Sequence, residues 1–141
     1  MSRAASRVGW VAILALAVVS CQTPETSSLG KPLDLRVAGA IEFQDSDLDL
    51  RFRRVLSDSR CPRGVQCITA GEAVVVLEGR IMKGASETFE VRLDGGETQD
   101  STNGTAYDGY QIRLIKLEPY PVAGAVVDTS TYVGTFVVEK R

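Results

Sequence analysis

From Leu33 to the last residues, apolar and polar side chains alternate with period two, and no window of a dozen residues carries helical spacing. That alternation demands half-buried strands. Leu35, Val37, Ile41 and Phe43 share one parity; Leu48, Leu50, Phe52 and Leu56 share another, with Asp47, Asp49, Arg51 and Arg53 between them. Gln44 to Asp47 reads as a hairpin connection. Ala73 to Met82 holds the unbroken run Val74, Val75, Val76 and Leu77, which predicts a central strand covered on both faces. Lys83-Gly84-Ala85 turns the chain into Thr88 to Leu93, where Phe89, Val91 and Leu93 alternate with charges. Tyr110, Ile112 and Leu114 lead to Ile115 and Leu117, where parity changes and a bulge is expected, and Pro119 and Pro121 end that strand. Thr131 to Glu139 is the last one. The prediction is all-β: an antiparallel sandwich, or a small barrel, of six to seven strands.

The chain has 141 residues, 44% hydrophobic and 24% charged, the usage of one ordinary globular domain. Arg3 and Arg7 lie in the first residues, leaving 14 basic against 18 acidic residues in the rest, with the basic ones scattered along alternating segments. Nucleic acid is therefore not an expected partner, because phosphate backbones are bound by clustered Lys and Arg. There is no histidine. That removes the common general base near neutral pH, Ser-His and Cys-His nucleophiles, and imidazole metal sites.

Residues 1–20 read as an export signal: a basic start, then Val8 to Val19, an apolar run shorter than the ~20 residues a spanning helix needs. Val18-Val19-Ser20-Cys21 resembles the lipobox of bacterial lipoproteins, with Val19 in place of the more usual Ala or Ser. The resemblance implies cleavage before Cys21, acylation of its thiol and a membrane anchor there. Gln22, where an Asp would retain such a protein in the inner membrane, implies the periplasmic face of the outer membrane in a Gram-negative host. Residues 21–32, polar and rich in Ser, Thr and Pro, read as the lipidated start and a flexible stalk, and residues 33–141 as the β domain, a monomer.

Outside the cytoplasm Cys61 and Cys67 are left to pair with each other once Cys21 carries lipid, which predicts a disulfide across Asp58-Ser59-Arg60-Cys61-Pro62-Arg63-Gly64-Val65-Gln66-Cys67. Pro62 fixes one φ and Gly64 permits a left-handed turn, so the ring should have one shape. Such a rigid, charged loop either plugs one end of the sandwich or forms a contact surface, and for the second role Asp58, Arg60, Pro62, Arg63 and Gln66 are the candidate contact residues. Asp58 to Pro62, Val65, Cys67 and Ala70-Gly71-Glu72-Ala73 resemble a segment of small exported or lipid-anchored bacterial proteins that have no assigned activity, although Thr69 stands where that group often has an aromatic residue. The likeness extends through Gly109-Tyr110 and Pro119-Tyr120-Pro121, and it implies an exported β domain.

Other chemistry fits poorly. Five residues between the cysteines and no helix argue against a thiol-disulfide enzyme. Asp45, Asp47 and Asp49 lack the glycine and glutamate of a calcium loop, since Leu50 and Leu56 occupy those positions. Asp94, Glu97 and Asp100 lie in the long polar stretch 94–104, where a solvated turn is the default over a calcium site. Asn103-Gly104-Thr105 matches a glycosylation acceptor that a bacterial lipoprotein seldom uses. No metal or cofactor is expected. The function expected is a non-catalytic envelope lipoprotein that binds a protein or envelope component through the disulfide loop. The alternatives are a protease inhibitor using the same loop and a small hydrolase using carboxylates such as Glu72, Glu78, Glu87 and Glu90.

Overall fold

The computed structural model describes residues 25–95 and 104–141. The leader, Cys21, Glu97, Asp100 and Asn103 lie outside the described residues. The strands are β1 (Glu25–Ser27), β2 (Leu33–Arg36), β3 (Ala40–Phe43), β4 (Leu48–Asp58), β5 (Glu72–Ile81), β6 (Ser86–Asp94), β7 (Thr105–Tyr107), β8 (Tyr110–Glu118) and β9 (Val133–Lys140), with a short 3-10 turn at Thr129–Thr131. They form two mostly antiparallel sheets, ordered β1-β3-β4-β5-β6 and β2-β9-β8-β7. The fold is a sandwich and not a closed barrel, the first of the two expected architectures, with nine described strands where six or seven were expected.

The inner faces meet in one core. Leu48, Leu50, Phe52, Val75, Leu77 and Val91 from one sheet face Ile112, Leu114, Leu117, Phe136 and Val138 from the other. Phe52 and Phe136 touch edge to face across the layers, centroids 5.6 Å apart. At one edge Phe89 stacks on Tyr107 at 4.7 Å and the Thr105 hydroxyl donates to the Glu90 carbonyl at 2.7 Å, which ties β6 to β7.

The extra strands arise where side-chain pattern is silent. The single run expected from Leu35 to Phe43 is two strands in different sheets: β2 pairs with β9, and β3 with β4. Between them Ala38 sits at φ 67° and the Gly39 N–H donates to the Arg36 carbonyl at 2.8 Å, so the chain turns a corner while keeping its parity. The stalk expected over 21–32 is corrected for its described part. Glu25–Ser27 runs parallel to β3, the Leu29 N–H donates to Asp45 Oδ1 at 3.1 Å, the Gly30 N–H donates to the Val138 carbonyl at 2.7 Å, and Leu29 packs on the core. Edge pairing joins backbone to backbone and needs no apolar side chains, so polar composition did not prevent it.

The hairpins at 44–47 and 83–85 and the bulge near Ile115 match expectation, the last as a register shift between Leu114 and Lys116. Leu56 does not. β4 carries two register shifts, between Phe52 and Arg54 and between Val55 and Ser57, and these rotate Leu56 out of the core to 44% exposure. Val74 and Val76 are buried on the outer face as predicted, flanked in register by Ser57, Arg92, Arg54 and Glu90, whose longer members supply aliphatic stems.

Candidate functional site

β4 and β5 are joined by residues 59–71, and the connection is held shut by backbone and side chain together. The Ser59 N–H donates to the Glu72 carbonyl at 2.8 Å, and its hydroxyl accepts from the Glu72 N–H at 3.1 Å. The Cys61 N–H donates to the Ala70 carbonyl at 2.9 Å. Cys61 and Cys67 are disulfide-bonded, with Cα atoms 5.9 Å apart, as the sequence predicts, and Gly64 takes a positive φ of 89° inside the ring. The loop also reaches a second one, residues 119–128: the Arg63 N–H donates to the Pro121 carbonyl at 2.9 Å and the Ala123 N–H to the Arg63 carbonyl at 3.0 Å.

Below the ring lies a clasp. Arg60, only 3% exposed, places its guanidinium flat against the Asp58 carboxylate, Nε to Oδ1 at 2.8 Å and Nη2 to Oδ2 at 2.6 Å. Nη1 donates to the Leu117 carbonyl at 2.7 Å and Nη2 to the Pro119 carbonyl at 3.3 Å. The Tyr132 hydroxyl donates to Asp58 Oδ2 at 2.9 Å. Over the guanidinium lies the Tyr120 ring at 4.7 Å, and its hydroxyl donates to the Cys61 carbonyl at 3.0 Å. One ion pair thus ties together β4, the end of β8, the following loop and the residue just before β9.

The electrostatics follow from that enclosure. Burial by itself pushes the Asp58 carboxyl up, but hydrogen bonds from Arg60 and Tyr132 and the Arg60 charge outweigh it and hold the group below the usual aspartate range. For Tyr132, burial and the bond to Asp58 act in the same direction, and its hydroxyl is pushed up to about 12.

These positions correct part of the expected contact set. Asp58 and Arg60 are buried and spend their polar atoms inside the protein, so they brace the loop and offer nothing to a partner. Pro62 is half-buried, Gln66 is exposed, and Arg63 is exposed with its guanidinium 5.1 Å from the Tyr120 ring centre. What the sequence reading passed over is apolar: Ile68 and Val126 are fully exposed, and Val65 and Val122 are about half exposed, all on the two joined loops. The available signal was an apolar residue outside any alternating strand, as in Cys67-Ile68-Thr69 and Ala125-Val126-Val127. Tyr120 and Tyr132 were likewise not singled out as partners of Asp58 and Arg60.

Elsewhere, Glu72 and Glu90 both pair with Arg92, at 3.0 and 3.3 Å, and Glu78 pairs with Arg53 at 3.4 Å. A groove of about 780 Å³ at the β2–β3 corner is lined by charges of both signs, among them Asp34, Arg36, Glu42, Asp49, Arg51 and Arg80. Among the described residues no group of three acidic or sulfur ligands is placed to hold a metal ion.

Removing the disulfide should cost about 2 kcal/mol, the loop-closure entropy of so short a ring, because the clasp and the Ser59–Glu72 pairing survive it. Urea unfolding of Cys61→Ser/Cys67→Ser against the parent measures this, and a loss well above that value would mean the sulfur bridge is a main support of the domain.

Comparison with protein-family models, with curated proteins and with solved structures gives no match.

Proposed function

We propose that the chain is a non-catalytic, lipid-anchored protein of the bacterial envelope whose sandwich binds a protein partner through the disulfide-braced end. The observation that carries this reading is the full exposure of Ile68 and Val126 on two loops locked to each other and to the core. Apolar side chains on a rigid surface release water on contact and lose little further entropy, which is how a small patch gains affinity. The anchor rests on Cys21 and its context. Four residues on from Cys21, β1 begins at Glu25, so the sandwich is tied within ~14 Å of the acylated residue instead of swinging on a stalk. Placement on the periplasmic face of an outer membrane follows from Gln22 in a Gram-negative host.

Protease inhibition through the same loop is less well supported, since Arg60 is buried and Arg63 lies against Tyr120. Hydrolysis by paired glutamates is less well supported still, because Glu72, Glu78 and Glu90 each face an arginine. The test has two arms. Mass spectrometry of native material should find an acylated Cys21 at the N-terminus, whereas an intact Met1 would end the anchor reading. The Ile68→Ser/Val126→Ser variant should keep the parent's unfolding midpoint and lose at least about tenfold in affinity for a crosslinked partner, the scale of an interface hot spot; unchanged affinity would end the contact reading.

A further inference from the structure

Arginines on the outer face of the five-stranded sheet fall into two kinds. Arg53, Arg80 and Arg92 each hold a carboxylate: Glu78 at 3.4 Å, Asp49 at 2.7 Å, and Glu72 with Glu90 at 3.0 and 3.3 Å. Arg51 and Arg54 hold none among the described residues. The register shift in β4 explains how the second kind came about. Phe52 pairs with Leu77 and points inward, whereas Arg54 pairs with Val76, so Arg53 is an extra residue. In an unbroken strand Arg54 would point into the core; the bulge instead puts Arg51, Arg53 and Arg54 on one face.

These three arginines line a shallow pocket of about 380 Å³ together with Ala38, Val76 and Thr88, and no carboxylate is among the lining residues. Gathering three guanidinium groups costs repulsion, and among the described residues one ion pair forms to any of the three, Arg53 with Glu78. Nothing in the sandwich requires the arrangement, since the buried side chains of β4 are Leu48, Leu50 and Phe52. We infer that the bulge in β4 builds an anion site, in which Arg51, Arg53, Arg54 and the Thr88 hydroxyl take one phosphate group. Guanidinium forks match the oxygens of a phosphate, and two of the three are uncommitted. The site is a single pocket and not a basic stripe, so it suits one phosphate on a small molecule or on a lipid headgroup, and not a nucleic-acid backbone.

The test is titration of the purified chain, followed by arginine Nε–H resonances, with inorganic phosphate and with dihexanoyl phosphatidylglycerol below its micelle concentration. At least one should bind saturably, and whichever binds more tightly identifies the source as free phosphate or headgroup. Arg51→Gln and Arg54→Gln should each weaken binding about tenfold, while Arg92→Gln, on the same face but already paired, should leave it unchanged. The inference is overturned if neither probe saturates at concentrations on the order of 10 mM, or if all three variants weaken binding equally, which would reduce the effect to net charge. Loss at this site would leave the apolar loops untouched, so its failure and that of the partner-binding reading are separate results.

Discussion

Arg60→Met is expected to destabilise the domain by about 3 to 5 kcal/mol, far more than any change at its exposed neighbour Arg63, where Met should cost less than about 1 kcal/mol. The reason is what Arg60 leaves behind. Its removal strands the Asp58 carboxylate, whose side chain is 8% exposed, with the Tyr132 hydroxyl as its remaining side-chain partner, and it takes a charged donor away from the carbonyls of Leu117 and Pro119. The penalty should depend on pH in a defined direction. In the parent, Asp58 titrates below the ordinary aspartate value of 3.8, so its contribution is complete above that value and is lost as pH falls through the lower, folded-state value. In the variant, burial without a cation raises the same carboxyl, and acid relieves the strain by protonating it. The stability gap between the two proteins should therefore be widest near neutrality and narrow below about pH 4. Urea unfolding at several pH values measures it, and a gap that stays constant would show that the two groups are not coupled as described.

Gly71→Ala should cost about 3 kcal/mol or more, from two independent causes. Gly71 holds φ +72°, a conformation that costs an L residue about 1 to 2 kcal/mol. An added Cβ would also run into the Ser59 carbonyl oxygen, which is backbone and cannot swing aside, and overpacking of that kind costs about 1 to 3 kcal/mol more. The position cannot shift freely, because the Gly71 carbonyl accepts from the Gly95 N–H at 2.7 Å and the residues on either side are paired with Cys61 and Ser59. Gly64→Ala isolates the first cause. It too has positive φ, but its nearest neighbour is the Ala123 Cβ at 3.9 Å, so its loss should stay near about 1 to 2 kcal/mol. Equal losses at the two positions would mean that the close approach at Ser59 does not matter.

The sequence made legible whatever depends on side-chain parity. The long strands β4, β5, β6, β8 and β9 and the bulge in β8 are all visible as alternation or a break in it. The β2–β3 corner was not visible, because parity runs unchanged from Leu35 to Ile41 while the chain leaves one sheet for the other. β1 was not visible because an edge pairing satisfies backbone groups and leaves Glu25 and Thr26 in water. Leu56 was misplaced because the alternation was carried past Arg54, a charged residue at an inward parity position that marks the first of the two register shifts.

At the site, the disulfide was legible, as two thiols in one short loop. The role of Arg60 was not. A charged loop residue is exposed by default, and what buries this one is a set of carbonyl groups 57 and 59 residues further along the chain. The exposed valines and isoleucine were present in the sequence, but only the fold places them on two loops joined by the Arg63 and Pro121 backbones.

Whether the braced end of the sandwich is a contact surface is tested most directly by site-directed photocrosslinking in the native envelope. A photoreactive phenylalanine analogue is placed in turn at position 68, at position 126, and at position 82, where an exposed Met sits on the hairpin at the opposite end of β5. The predicted result is one and the same protein adduct from positions 68 and 126 and none from position 82. Adducts of equal yield from all three positions, or from position 82 alone, would contradict it.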